Sequence, residues 1–290
     1  MVQYIAAKSI LSKVRNVDSY FGISYNMNLY RGCQHACIYC DTRSECYGMH
    51  DISTVSVKSN ALTLLSKELS VKRKNRETIG TGSMNDPYMP LEKELELTRN
   101  ALGIIAEYKF PIHVITKSNL VERDTDILQE IAKTYAAVSF TITATSDTGS
   151  RRIEPHAPVS SERFKAMQLL ASKDIYTGIT LMPILPFIND TQENISEIIR
   201  KAKDAGASYI IPMFGVTLRK GSRDYFYQAL NNDFPGMKEK YQLRFGEQYE
   251  CFSPNYKKLN DLFHEQCSKA GIATRMQFYQ PKEYKQQSLF

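Results

Sequence analysis

Cys33, Cys37 and Cys40 stand in the run Cys33-Gln34-His35-Ala36-Cys37-Ile38-Tyr39-Cys40, a C-x3-C-x2-C spacing with an aromatic residue before the last thiol. Cysteine sulfur is the usual protein ligand of iron–sulfur clusters. Three thiolates this close in the chain can hold three irons of a [4Fe-4S] cluster. No fourth cysteine sits nearby at a familiar spacing, so one iron lacks a protein ligand, and an open metal position is where chemistry takes place. The same thiols could instead hold zinc, with His35 or Cys46 as a fourth ligand. Structural zinc sites favour two ligand pairs, one C-x2-4-C and a second pair further on, and that second pair is missing. His35 also lies inside the loop, where it would strain a tetrahedron built from the three cysteines. A disulfide framework fits poorly with six cysteines in 290 residues and no secretory start.

The elements that must position these thiols alternate between two periods. Strand-like runs are Ile23–Asn28, Thr78–Gly82, His113–Thr116, Val138–Thr143, Tyr176–Leu181 and Tyr209–Pro212. Helical patterns fall at Ala61–Val71, Glu92–Tyr108, Thr125–Thr134, Ser161–Ser172 and Gln192–Ala205. Asp190-Thr191-Gln192-Glu193 is a helix start and Gly206 a C-cap. Such alternation implies parallel strands joined by helical crossovers. The count is about six β/α units, short of the eight of a closed TIM barrel. Residues 1–19 read as an N-terminal extension, 20–230 as one core barrel and 231–290 as a C-terminal cap. The cap carries a helix near Tyr256–Lys269 with Cys267 on it. Cys46, Cys251 and Cys267 read as buried structural thiols.

Active groups of such folds sit in loops at the C-terminal ends of strands, and the cysteine loop follows the first predicted strand. The second strand runs into Gly80-Thr81-Gly82-Ser83-Met84-Asn85-Asp86-Pro87-Tyr88. Its glycines let backbone approach a ligand closely, and Ser83, Asn85 and Asp86 offer hydrogen-bonding side chains. The alternative is a turn made for its own sake. Lys117 follows the third strand, where it faces the site or stands as a plain surface lysine. Ser139, Thr141 and Thr143 alternate along the fourth strand and so share a face. Glu154, between two arginines and Pro155, precedes a helix that carries Arg163. Arg219 follows the sixth strand, and its guanidinium suits a phosphate or carboxylate.

The bulk properties set outer limits. Hydrophobic residues are 42% of the chain, enough for a substantial core. The N-terminal run does not read as a signal peptide, and no stretch approaches the roughly 20 apolar residues of a membrane helix. A cytoplasmic protein with reduced thiols is the expectation. A net charge of +6 is compatible with a nucleic-acid partner, although Lys72-Arg73-Lys74 with Arg76 reads as a solvated helix end. Eighteen tyrosines and thirteen phenylalanines include candidate stacking platforms for bases, but core packing accounts for most of them.

The cysteine spacing, with Tyr39 before the last thiol, resembles the signature of the radical S-adenosylmethionine (SAM) superfamily. Other segments resemble its spore photoproduct lyase-like group, often labelled DNA repair photolyases. They are Ala7-Lys8-Ser9-Ile10-Leu11, Asn85-Asp86-Pro87-Tyr88 with Glu92, Thr116-Lys117-Ser118 with Arg123-Asp124, Glu154-Pro155 with Pro158, and Pro186 with Asn189-Asp190. The resemblance runs from about residue 7 to 275. It implies a partial (β/α)6 barrel, in keeping with the count. It also implies a [4Fe-4S] cluster on Cys33, Cys37 and Cys40, with SAM chelated to the open iron. One electron would then cleave SAM to methionine and a 5'-deoxyadenosyl radical, which abstracts hydrogen from an unidentified substrate. Such chemistry needs an electron donor such as flavodoxin or ferredoxin.

The same resemblance implies cofactor roles for individual residues. Ser83, Asn85 and Asp86 lie in the loop that meets the SAM amino group, and Lys117 suits its carboxylate. Ser139 and Thr141 suit its ribose or methionine moiety, Tyr39 its adenine, and Glu154 and Arg163 either SAM or the framework. The lyase of that group returns a hydrogen atom from a cysteine in the loop after the second strand. Ser83 stands at the corresponding place here, and a serine O–H is the poorer donor because its bond is stronger. Repair of a DNA lesion with another hydrogen donor is therefore the rival enzymatic reading. A zinc-stabilised nucleic-acid-binding module without catalysis is the rival from another class.

Overall fold

A computed structural model describes residues 2–15, 20–49 and 51–281. Residues 16–19 of the expected extension and 282–290 of the expected cap lie outside the described residues. The first half runs β1 (Gln3–Ile5), β2 (Leu11–Lys13), β3 (Tyr25–Met27), β4 (Tyr30–Arg31), β5 (Ser56–Lys58), α1 (Ala61–Lys72), β6 (Ile79–Gly80), α2 (Glu92–Leu95), α3 (Leu97–Glu107), β7 (Ile112–Thr116), α4 (Thr125–Ala132) and β8 (Ala136–Thr141). It continues through α5 (Asp147–Ile153), α6 (Ser160–Ala171), β9 (Tyr176–Leu181), α7 (Gln192–Asp204), β10 (Tyr209–Pro212), β11 (Gly215–Thr217), α8 (Ser222–Asp233), α9 (Met237–Phe245), β12 (Glu250–Phe252) and α10 (Tyr256–Ala270).

The main sheet has the order β10-β9-β8-β7-β6-β3-β2. The six strands β3, β6, β7, β8, β9 and β10 are parallel, and they are the six that alternation predicts. Antiparallel β2 extends the sheet beyond β3. The sheet does not close, because β10 and β2 are its edges. The architecture is thus α/β and a partial barrel, as expected. Parallel strands covered on both faces are buried along their length, so their polar side chains must find partners inside. β8 shows this: all of Ala136–Thr141 is buried. Gly178 in β9 is required by a close approach, since a Cβ there would lie 2.4 Å from the Tyr209 ring.

The crossover helices bury one stripe each. In α7, Ile195, Ile198, Ile199 and Ala202 are buried at helical spacing. Each isoleucine contributes about 1.5–3 kcal/mol relative to exposure. On the far side α7 is covered by α10, which buries Leu259, Phe263 and Cys267. Among the described residues no helix is long and apolar enough to cross a membrane.

The helix expected over Glu92–Tyr108 is two helices. Glu96 takes φ +50° between α2 and α3. The cause is the buried Glu92 carboxylate, which accepts from Thr98 N at 2.9 Å and Arg99 N at 3.3 Å. It thereby satisfies the free amides that begin α3. The same carboxylate accepts from the Tyr30 hydroxyl and pairs with Arg123 at 2.8 Å. Three helices were not expected: α5, α8 and α9. The boundary expected after residue 230 falls inside α8. The stretch read as an extension supplies β2 to the main sheet and β1 to a small sheet with β5 and β4. β11 pairs with β12, so the stretch read as a cap is hydrogen-bonded to the segment that follows the last parallel strand.

Candidate active site

The cysteine loop follows β4 of the small sheet, in the chain that leaves the C-terminal end of β3, the first parallel strand. Gly32 enters it at φ +90°, where a Cβ would lie 2.7 Å from the carbonyls of Ile52 and Thr54. Ala36 also takes a positive φ, +54°. The loop is tied to distant chain by main-chain bonds: Cys33 N to Ile52 O at 2.7 Å, Ile38 N to Ile153 O at 3.0 Å, and His156 N to His35 O at 3.2 Å. Cys33 and Cys37 are buried and Cys40 is half-buried. All three line one cavity of about 320 Å³. Burial pushes the Cys33 thiol up to about 11. Burial also pushes Cys37 up, opposed by the Lys117 ammonium. Thiols held this way release their protons to solvent when a metal binds and supplies the balancing positive charge.

Loops at the strand ends complete the wall. Ser83, Asn85, Asp86, Lys117 and Thr141 line the cavity with Tyr39 and the cysteines. Ser83 is exposed, and its hydroxyl reaches Asn28 Oδ1 at 3.5 Å. Asn85 donates from Nδ2 to Tyr30 O at 2.8 Å. Asp86 is occupied on several sides. It accepts from the Thr116 hydroxyl at 2.7 Å, Lys117 N at 2.7 Å and Tyr88 N at 2.9 Å, and lies 3.3 Å from His35 Nε2. Burial would raise this carboxyl, yet His35, Lys117 and Thr116 hold it well below the usual carboxylate range. The Lys117 ammonium lies 5.8 Å from the centre of the Tyr39 ring. Burial would lower its pKa, but Cys37, Glu154 and Asp86 keep it raised and therefore charged.

Other expected residues stand elsewhere. Glu154 and Arg163 do not line the cavity. They form a buried ion pair at 2.6 Å behind Tyr39, whose hydroxyl donates to Glu154. Arg163 also donates to Pro158 O at 2.7 Å and Thr141 O at 2.8 Å. The pair therefore fixes Tyr39 and the end of β8. Ser139 is buried away from the cavity, bonded to His113 Nε2 at 2.8 Å and the Tyr209 hydroxyl at 2.7 Å. Arg219 lies at the rim, 2.9 Å from the Tyr249 hydroxyl and 3.7 Å from Asp41. Cys251 and Cys267 are buried as expected, but Cys46 is exposed, 3.6 Å from Arg219. It lies on a single 3-10 turn, Glu45–Tyr47, which has no inward face to bury a thiol.

The cavity also has lining that the sequence reading passed over: Met182 and Pro183 after β9, Met213 after β10, and Val216 and Thr217 on β11. The strand-end rule that found Lys117 would have found Met182 and Met213.

The donor set fits an iron–sulfur cluster. Three thiols share one wall, and no acidic or imidazole side chain completes a compact set around them. Among the described residues no three His, Cys, Asp or Glu side chains gather as a single ion requires. A zinc tetrahedron needs its donors about 2.0–2.3 Å from one point, and the two fourth ligands considered for it, His35 and Cys46, face Asp86 and Arg219 instead.

Known proteins resemble this chain at the level of both sequence and fold. An uncharacterized protein of Mycobacterium tuberculosis is 28% identical over 245 residues, covering 82% of this chain and 72% of that protein. A radical SAM Nalpha-GlyT isomerase of Pseudomonas phage M6 is 23% identical over 233 residues, 80% of this chain and 44% of that protein. Spore photoproduct lyase complexed with dinucleoside spore photoproduct has a similar fold, with a TM-score of 0.68 at 14% identity. That likeness covers 94% of this chain and 81% of the lyase. The radical SAM superfamily model matches residues 27–202, which run from the end of β3 to the last turn of α7 and include all three cysteines of the cavity. This chain belongs to the radical SAM superfamily.

Proposed function

We propose that this protein cleaves SAM reductively and directs the resulting radical at a substrate held in the barrel. The observation that carries the reading is the single cavity that joins Cys33, Cys37 and Cys40 to Lys117 and Ser83 at the strand ends. A [4Fe-4S] cluster held by Cys33, Cys37 and Cys40 would supply the electron for reductive cleavage of SAM bound beside it.

The chain's own contribution is positioning, charge and exclusion of water. Cys33, Cys37 and Cys40 are the cluster ligands. The Lys117 ammonium is the partner for the SAM carboxylate. Ser83 and the free carbonyl of Asn85 are acceptors for its amino group. Asp86 is already committed to protein donors, so its part is to hold that loop against β7. Thr141 faces the cofactor, while Glu154 and Arg163 act through Tyr39 and the β8 end. Ser139 lies too deep to take part directly. An external reductant such as flavodoxin or ferredoxin supplies the electron.

The fold likeness to a lyase bound to a dinucleoside supports a second reading, repair of a DNA lesion. That reading requires a hydrogen donor other than Ser83.

Anaerobic reconstitution with iron and sulfide, then reduction with SAM, tests the proposal. The expected product is 5'-deoxyadenosine, formed by the wild type and lost together with bound iron in Cys33→Ala, Cys37→Ala and Cys40→Ala. Product formation that persists in the three variants would sink the mechanism.

A further inference from the structure

Behind the cofactor cavity lies a second chamber of about 310 Å³, at the lower end of the range for small-molecule pockets, about 300–1,000 Å³. The two share Gly82, Ser83, Ile115, Thr141 and Met182. The shared wall is thin because Gly82, at φ +84°, lies so close to β7 that a Cβ would sit 2.4 Å from Ile115 O. Whatever occupies the second chamber therefore stands next to whatever occupies the first.

The chemistry of the second chamber is distinctive. Among its described lining residues there is no Asp, Glu, Lys, Arg or His. Among the described lining residues a charged group would find no counter-ion, and an unpaired buried charge is penalised. The wall is instead apolar, from Val14, Phe21, Ile23 and Met182, with isolated neutral polar groups. Two of these are unspent. Thr81 is 3% exposed and its buried hydroxyl has no partner. The half-buried Asn26 amide makes no hydrogen bond within the described chain. By contrast, the Thr141 and Thr180 hydroxyls bond each other at 2.8 Å. A buried hydroxyl without a partner is unfavourable, and an unspent amide offers a donor and an acceptor side by side.

We infer that this second chamber is the substrate subsite and that it takes an uncharged amide edge, an adjacent C=O and N–H, recognised by Asn26 and Thr81. It deepens the proposed function, and it rests on that reading only in placing the reactive carbon of SAM on the other side of the shared wall. Two sources present the chemistry: the imide edge of a pyrimidine nucleoside and the amide of a peptide.

The test uses the reconstituted full-length protein with SAM, and three probes measured by equilibrium dialysis: thymidine, N-acetylglycine N-methylamide and free glycine. Saturable binding of a neutral probe, with glycine unbound, is the expected result. Thymidine alone identifies the pyrimidine source and the methylamide alone the peptide source. Asn26→Leu and Thr81→Val each weaken that binding about tenfold, the value of one hydrogen bond near the upper end of the neutral range. Thr81→Ser, which keeps the hydroxyl, stays within about threefold of wild type on the same scale. Iron content and SAM affinity, read on each variant, show that it is folded. The inference is overturned if no neutral probe binds, if glycine binds as well, or if Thr81→Val and Thr81→Ser behave alike. 5'-Deoxyadenosine, assayed in the same samples, reads the cofactor assignment separately. Probe binding without cleavage keeps the subsite and removes the radical mechanism, and cleavage without probe binding does the reverse.

Discussion

At the scale of single residues, polar side chains around the cavities divide into those already satisfied by the protein and those left without a partner. Asp86 belongs to the first group. Replacement by Ala leaves the Thr116 hydroxyl and the amides of Lys117 and Tyr88 without their acceptor. The expected loss is about 3–5 kcal/mol, as for a broken buried charged pair, and urea unfolding of the metal-free protein measures it. An unchanged midpoint would mean that the loop draws its order from elsewhere.

His113 makes a pH prediction. Burial pushes its imidazole down to about 4, against an ordinary value near 6.5. The unfolded chain therefore binds the extra proton first as pH falls, so stability declines from about pH 6.5 down to pH 4 and levels off below. The contribution of this one group is roughly 3 kcal/mol across that window. Unfolding titrations of the metal-free protein should show the slope, and a His113→Gln variant should flatten it.

At the scale of elements, the same side chains decide where helices and loops begin. Glu92 shows how. Its carboxylate caps α3, anchors Tyr30 and holds Arg123. Glu92→Ala is expected to cost about 3–5 kcal/mol by removing a buried charged acceptor from the Tyr30 hydroxyl, Arg123 and the α3 amides. Glu92→Gln should cost less, because the amide oxygen can still accept from Thr98. Circular dichroism with thermal unfolding checks both, and equal losses would show that charge alone matters.

Most elements were legible in sequence because their periodicity is unmixed. Tyr176–Leu181 and Tyr209–Pro212 match their strands end to end, and α7 differs from its expected span by one residue. The break at Glu96 was not legible, because the donors that Glu92 gathers come from residues up to 62 positions away. Ser83, Asn85, Asp86 and Lys117 line the cavity from the strand-end loops that sequence singled out, the cysteines were marked by their spacing and Thr141 by alternation along its strand. Ser139, marked the same way as Thr141, lies away from the cavity, since tertiary packing puts Tyr209 and His113 within reach of its hydroxyl. Glu154 and Arg163 were each singled out in sequence, but their ion pair behind Tyr39 was not, because it forms only when the end of α5 packs against α6.

At the scale of the whole molecule, the open sheet leaves β10 as an edge that later chain must cover. Ala273 bridges to Tyr209, and α10 covers α7. Removing the chain from residue 255 onward uncovers the face of α7 that α10 packs against with Leu259, Phe263 and Cys267 buried. The expected outcome is a product that aggregates or binds hydrophobic dyes, since burial of each large apolar side chain is worth about 1.5–3 kcal/mol. A soluble truncated chain with a wild-type unfolding midpoint would show that α10 is dispensable.

The anchors of the cysteine loop bear on how the enzyme matures. Its main chain is held by carbonyls at Ile52 and Ile153 and by the amide of His156. The last two belong to chain made more than a hundred residues after Cys40. A nascent polypeptide that has delivered the three thiols beyond the ribosome therefore cannot yet shape them into a socket. On the proposed function, iron and sulfide would be loaded only after synthesis has passed β8 and α5, onto a folded barrel rather than an extended peptide.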